Sequence, residues 1–207
     1  MMKPRIKICG LTRAEDVDVA LEAGADAIGL VFYPPSPRYV DLAVAAELAR
    51  RIPPFVSIVG LFVNAEPERV RATLAALPIH LLQFHGDEDD AYCRQFDRPF
   101  MKAARVKPGM DLVQYCARFP TAQAILLDAF VEGYGGGGKV FDWSLIPSAL
   151  SKPIVLSGGL DAENVGAALL QVRPAAVDVS SGVESAKGIK DAAKVRAFAR
   201  AVRAAGV

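Results

Sequence analysis

Eight short, nearly unbroken apolar runs, spread along the whole chain, restrict this sequence more than any other feature. They are "IKICGL" at 6–11, "DAIGLVF" at 26–32, "SIVGLFV" at 57–63, "HLLQFHG" at 80–86, "FMKAARV" at 100–106, "AILLDAF" at 124–130, "PIVLSGG" at 153–159 and "AVDVSSG" at 176–182. A strand with one wet face alternates apolar and polar residues. Runs without that alternation fit strands buried on both faces, as in a parallel sheet. Helical patterns lie between them. "DLAVAAELARRI" repeats apolar residues at Leu42, Ala45, Ala46, Ala49 and Ile52, and the last segment aligns Val195, Phe198, Ala199 and Val202. Asp161 and Pro67 are the expected starts of two further helices. Eight strand–helix alternations over 207 residues leave about 26 residues per unit. The pattern predicts an α/β fold, a single (β/α)8 TIM barrel spanning 1–207 with short loops. An open doubly wound sheet is the alternative. It would normally carry GxGxxG after its first strand, where this chain reads "CGLTRAED".

Charge narrows the partners. Lys and Arg total 24 against 23 Asp and Glu, so no net charge favours nucleic acid or an anionic membrane. No apolar run approaches the roughly 20 residues of a membrane span, and "MMKPRIKICG" does not read as a signal peptide. Three cysteines without CxxC spacing, Cys9, Cys93 and Cys116, imply neither a disulfide framework nor a zinc site, and a cytoplasmic setting is expected.

In such a barrel the loops after the strands form the active-site face, so polar residues at strand C-termini carry the functional reading. These are Cys9, Arg38, Asn64, His85, Asp128, Ser157-Gly158-Gly159 and Ser180-Ser181-Gly182. "LSGGL" and "VSSGVE" fit a phosphate cradle, because glycine turns expose backbone N–H groups and a following helix directs its positive end at an anion. "GYGGGGKV", with Gly136, Gly137 and Gly138, is a plausible third wall.

Together "KICGLTR", "GADAIGLVFYPPSPRYV", "VGLFVN", "LLQFHGDE", "LLDA", the glycine loop with "KVFDW", "PIVLSGGLDAENV" and "VDVSSGVE" with "GIKD" resemble, in order and over nearly the whole chain, the phosphoribosylanthranilate isomerase family. One departure is visible: that family usually has GGTG or GGSG in the glycine loop, and Gly137 takes the Thr or Ser position.

The resemblance implies an Amadori rearrangement of N-(5′-phosphoribosyl)anthranilate in tryptophan biosynthesis. Protonation of the furanose ring oxygen opens the ring to an iminium, and removal of the C2′ proton gives an enolamine that tautomerises to the ketone. The iminium is the electron sink, so one acid and one base suffice, with no cofactor and no metal. By the same resemblance Asp128 is the acid and Cys9 the base. Arg38 is expected to pair with the anthranilate carboxylate. His85 either lines the site or satisfies a loop carbonyl, with a supporting role expected, and Asp178, within the eighth run, is expected to face the barrel mouth near the substrate. Gly136, Gly137, Gly138, Gly158, Gly159, Ser181 and Gly182 hold the phosphate. A free Asp titrates near pH 3.9 and a thiol near 8.5, so both roles require help from the site.

Rival readings remain on the same scaffold. A phosphosugar epimerase or aldolase would need a His/Asp metal set or a Schiff-base lysine, for which His80, His85, Lys102 and Lys139 are the available residues. A non-catalytic phosphate-binding barrel would share the cradle but have no need for Cys9 and Asp128. A monomer and a homodimer are both compatible with the sequence.

Overall fold

The computed structural model describes residues 3–130 and 141–205. Eight strands pair in parallel in chain order: β1 (Arg5–Cys9), β2 (Ala27–Val31), β3 (Ser57–Phe62), β4 (Leu81–Phe84), β5 (Phe100–Val106), β6 (Ala124–Ala129), β7 (Ile154–Leu156) and β8 (Ala176–Val179). The barrel closes where β8 pairs with β1, placing Lys7 opposite Asp178. The open-sheet alternative is excluded by this closure.

Strand alternation sorts the side chains into two layers. Val59, Met101, Ala103, Leu126 and Val155 fill the lumen. Ile6, Ile8, Ile28, Leu82 and Phe84 face outward and pack with the helix residues Val195, Phe198 and Val202. Each fully buried large side chain contributes on the order of 1.5–3 kcal/mol. Small residues at the strand starts, Ala27 and Ala176 among them, leave a cavity of ≈ 320 Å³ at the base of the barrel, away from the strand ends that carry Cys9 and Asp128.

The outer layer comprises α1 (Ala14–Glu22), α2 (Leu42–Ala49), α3 (Pro67–Ala76), α4 (Asp90–Arg94), α5 (Leu112–Ala117), α6 (Val165–Val172) and α7 (Ala192–Ala204). Four of these start at an aspartate whose carboxylate accepts a backbone N–H three residues on: Asp41, Asp89, Asp111 and Asp191. Such caps are each worth about 1 kcal/mol. Pro67 opens α3 as expected.

One expectation needs correction, and two further features are not evident from periodicity. Asp161 does not cap α6; it accepts from Glu163 and Asn164 N–H in a turn, and the helix begins at Val165. Ahead of β7 the chain forms a 3-10 turn, Trp143–Leu145, ended by an extended Ile146 before Pro147. The chain after β8 also folds back as a hairpin, β9 (Glu184–Ala186) with β10 (Ile189–Lys190), which sequence periodicity does not reveal.

Candidate active site

The C-terminal ends of the strands gather the expected residues. On β1, Lys7 and Cys9 share the inward face. They crowd against Gly29 of β2, where an added β-carbon would lie 2.7 Å from Cys9 Sγ and 3.1 Å from Lys7 Nζ. Lys7 Nζ donates to Asp178 Oδ1 at 2.8 Å, and both side chains are buried. Burial works against the Lys7 ammonium, but Asp178 and then Cys9 outweigh it and hold Lys7 above the ordinary lysine value. For the Cys9 thiol, burial is the largest influence and pushes it up, while Lys7 is the chief opposing charge. Asp178, expected to face substrate, therefore has one oxygen committed to Lys7.

Asp128, the penultimate residue of β6, is buried. Its Oδ1 accepts the Ala129 N–H at 2.9 Å, and its Oδ2 lies 3.1 Å from His85 Nε2. On the other side of the ring, Gln83 Nε2 is 3.0 Å from His85 Nδ1. His85 thus does not serve a loop carbonyl; it links Gln83 to Asp128. Gly158 makes room for this arrangement. Its φ is 83°, and a β-carbon there would lie 2.5 Å from Ala129 N and 3.0 Å from Asp128 Oδ1.

Arg38 is buried in the loop after β2 and passes over Gly10, where a β-carbon would lie 2.5 Å from Arg38 Cδ. Its Nε and Nη2 donate to the two carboxylate oxygens of Glu184 at 2.7 and 2.8 Å. Lys190 donates to the same Glu184 at 2.9 Å and to the Ser180 carbonyl at 3.1 Å. The hairpin β9–β10 thus clamps the arginine. The Nε–Nη2 edge of the guanidinium is thereby occupied by Glu184. Burial works against the Arg38 charge, but the hydrogen bonds to Glu184 outweigh it and hold Arg38 above its ordinary value. Burial also opposes the Glu184 charge, and Arg38 and Lys190 outweigh it to hold the carboxyl below its usual value.

The two glycine loops lead into turns and not directly into α-helices. Gly158 and Gly159 both adopt positive φ, 83° and 65°. The helix that follows them starts only at Val165, and Asn164 Nδ2 donates to the Gly159 carbonyl at 2.8 Å. After β8, Ser181, Gly182 and Val183 form a 3-10 turn, with Gly182 packed against the Leu160 carbonyl. The two loops are therefore in contact. Gly136, Gly137, Gly138 and Lys139 lie outside the described residues.

Sequence reasoning missed Lys7, Gln83, Glu184 and Lys190. Lys7 and Gln83 were legible as the inward residues two positions before Cys9 and His85, in "KIC" and "QFH". Lys102, one of the two lysines available for a Schiff base, is on the outer face. It is buried against Glu88 at 3.3 Å and donates to the Gly86 carbonyl at 2.6 Å. Among the described residues, no three His, Cys, Asp or Glu side chains come together as a metal-binding group.

A closed (β/α)8 barrel with a buried thiol, a His-linked carboxyl group and a clamped arginine at one mouth defines a small-molecule enzyme of the acid–base type. The family model for N-(5′-phosphoribosyl)anthranilate (PRA) isomerase matches residues 6–201, and the chain belongs to this family. The N-(5′-phosphoribosyl)anthranilate isomerase of Dechloromonas aromatica is 68% identical over 204 residues, covering 99% of this chain and 98% of that protein. The enzyme of the same name from Methylibium petroleiphilum is 64% identical over 204 residues, 99% of this chain and 96% of that one. The crystal structure of the isomerase from Thermotoga maritima superposes with a TM-score of 0.90 at 41% identity, over 97% of this chain and 99% of that one. A phosphoribosyl anthranilate isomerase in complex with reduced 1-(o-carboxyphenylamino)-1-deoxyribulose 5-phosphate superposes with a TM-score of 0.87 at 39% identity, over 97% and 99% of the two chains. As a member of this family the chain is an isomerase of tryptophan biosynthesis.

Proposed function

We propose that Cys9 is the general base and Asp128 the general acid of the Amadori rearrangement of N-(5′-phosphoribosyl)anthranilate. The observation that carries this reading is the placement of both side chains, buried and inward-facing, at the C-terminal ends of β1 and β6. Protonated Asp128 gives its proton to the furanose ring oxygen as the C1′–oxygen bond breaks. The nitrogen lone pair closes the iminium. Cys9, as thiolate, takes the C2′ proton, and the electron pair of that C–H bond moves to the C1′–C2′ position as the iminium becomes an enolamine. Tautomerisation returns a proton to C1′ and leaves the C2′ ketone.

Arg38, held by Glu184, presents its remaining N–H groups to the anthranilate carboxylate. Gly158, Gly159, Ser181 and Gly182 receive the 5′-phosphate, supported by two adjoining loops: the positive-φ pair Gly158 and Gly159 after β7, and the 3-10 turn with Gly182 after β8. The glycine loop with Gly136, Gly137 and Gly138 completes that site in this reading. The three cysteines are all free, which fits a reducing cytoplasm. No described helix is long and apolar enough to cross a membrane.

The test is loss of substrate fluorescence with freshly formed phosphoribosylanthranilate, with and without EDTA. Equal turnover in both supports the reading. Activity abolished by the chelator and restored by a divalent metal favours an epimerase-like mechanism.

A further inference from the structure

Gln83 has an anomaly that the acid–base pair does not explain. It is fully buried in the lumen, between Leu61 and Met101 in the sheet register, and its Oε1 has no hydrogen-bond partner. Its amide nitrogen points at His85 Nδ1, 3.0 Å away, and the opposite ring nitrogen points at Asp128 Oδ2, 3.1 Å away. A buried carbonyl oxygen left unpaired costs about 1–3 kcal/mol. That cost falls on a side chain in direct contact with the ring that touches the proposed acid.

Hydrogen-bond polarity along the chain of three gives the oxygen a use. With the amide N–H donating to Nδ1, that nitrogen must be unprotonated. The ring proton then lies on Nε2 and is donated to an ionised Asp128. This is the pair after its proton has been delivered. Adding one proton reverses every polarity: Asp128 carries O–H and donates to a bare Nε2, and Nδ1–H needs an acceptor. Turning the amide by about 180° supplies Oε1 as that acceptor. The two amide orientations therefore correspond to two proton counts on His85 and Asp128.

We propose that Gln83 is a positioning residue for the reaction, whose amide turns to present Oε1 to His85 Nδ1–H when Asp128 holds the proton it delivers, and Nε2–H when it does not. The inference rests on the reading of Asp128 as the acid. No net charge is created at Gln83 in either state, which suits a side chain in an apolar layer of the lumen. The charged and titratable groups around this chain are Arg105, which pairs with Asp128 in the β5–β6 register and also binds Asp87, and Lys7, Cys9 and Asp178 on β1 and β8. Glu88 and Lys102 lie behind β4 and β5.

The chain has only two histidines, which makes the test direct. His80 Nδ1 accepts the Ile58 N–H at 2.9 Å and supplies a reference signal for an unprotonated Nδ1. In ¹⁵N-histidine-labelled wild-type enzyme, His85 Nδ1 should carry a proton at the pH of maximal kcat/KM. An Nδ1 that stays unprotonated throughout the active range overturns the proposal. Gln83→Glu gives a second measurement, because its carboxylate offers the ring an acceptor and no amide donor. Its alkaline limb should move up by about one pH unit or more; an unmoved limb in a folded variant also overturns the proposal. Asp128→Asn with full turnover would remove the acid role itself. The wild-type NMR titration reports the ring tautomer independently of that result.

Discussion

His85 Nε2 lies 3.1 Å from Oδ2 of Asp128, inside the barrel mouth and away from bulk water. The ring is itself held from behind by Gln83, so the carboxyl group meets a partner of fixed orientation. His85→Leu should leave Asp128 with only the Ala129 N–H and lower kcat by roughly ten- to a hundredfold, since a positioned acid loses its alignment. Turnover within a factor of about two of wild type would show that the contact is only structural.

Arg38 and Glu184 make the second pair to test. Arg38→Met should weaken a carboxylate-bearing product analogue by about 1.5–3 kcal/mol, the scale of a charged hydrogen bond. An analogue lacking the carboxylate should bind both proteins alike. Glu184→Gln keeps the shape of the clamp but loosens the fork, and should produce a smaller loss with the same ligand selectivity. Calorimetric titration with the two analogues reads both effects. Equal losses for both ligands would assign Arg38 to structure.

Much of this site was legible because strand alternation and loop position are local properties. Cys9 precedes a glycine at the end of an apolar run, and Asp128 lies near the end of another. Their partners were hidden by distance: Arg38 and Glu184 are 146 residues apart, and Lys7 and Asp178 are 171 apart. Only closure of the barrel brings β8 to β1 and places these side chains together. The misplaced helix start has a different cause. Asp161 makes the same side-chain contact to nearby N–H groups that a helix cap makes, but in a turn, so residue type alone does not separate the two. "WSLIPSAL" has helical apolar content, yet Pro147 forces its predecessor into extended backbone.

Gly158 offers a stability test linked to the acid. Its positive φ and its closeness to the Ala129 nitrogen leave no space for a methyl group. Gly158→Ala should destabilise the fold by more than about 1 kcal/mol and lower kcat as Asp128 is displaced. Denaturant unfolding and turnover, measured together, check this. A variant as stable and active as wild type would contradict the close packing.

The buried thiol of Cys93 sets a pH dependence of stability. Burial is the main cause that pushes it from 9.0 up to about 12. The unfolded thiol ionises first, so the folded chain binds more protons between those values. The stability linked to this group is thus full below pH 9 and is lost as the pH rises to about 12. Thermal midpoints measured across that alkaline window should fall less steeply in Cys93→Ala. Parallel slopes in the two proteins would exclude the thiol as a source.

The central claim is that Cys9 and Asp128 divide the chemistry as base and acid, and turnover of Cys9→Ala and Asp128→Asn tests it most directly. With folding verified by an unchanged circular dichroism spectrum, each variant should lose at least about a hundredfold in kcat for phosphoribosylanthranilate. Retention of more than about a tenth of wild-type turnover by either variant, against that hundredfold scale, would contradict the role assigned to that residue.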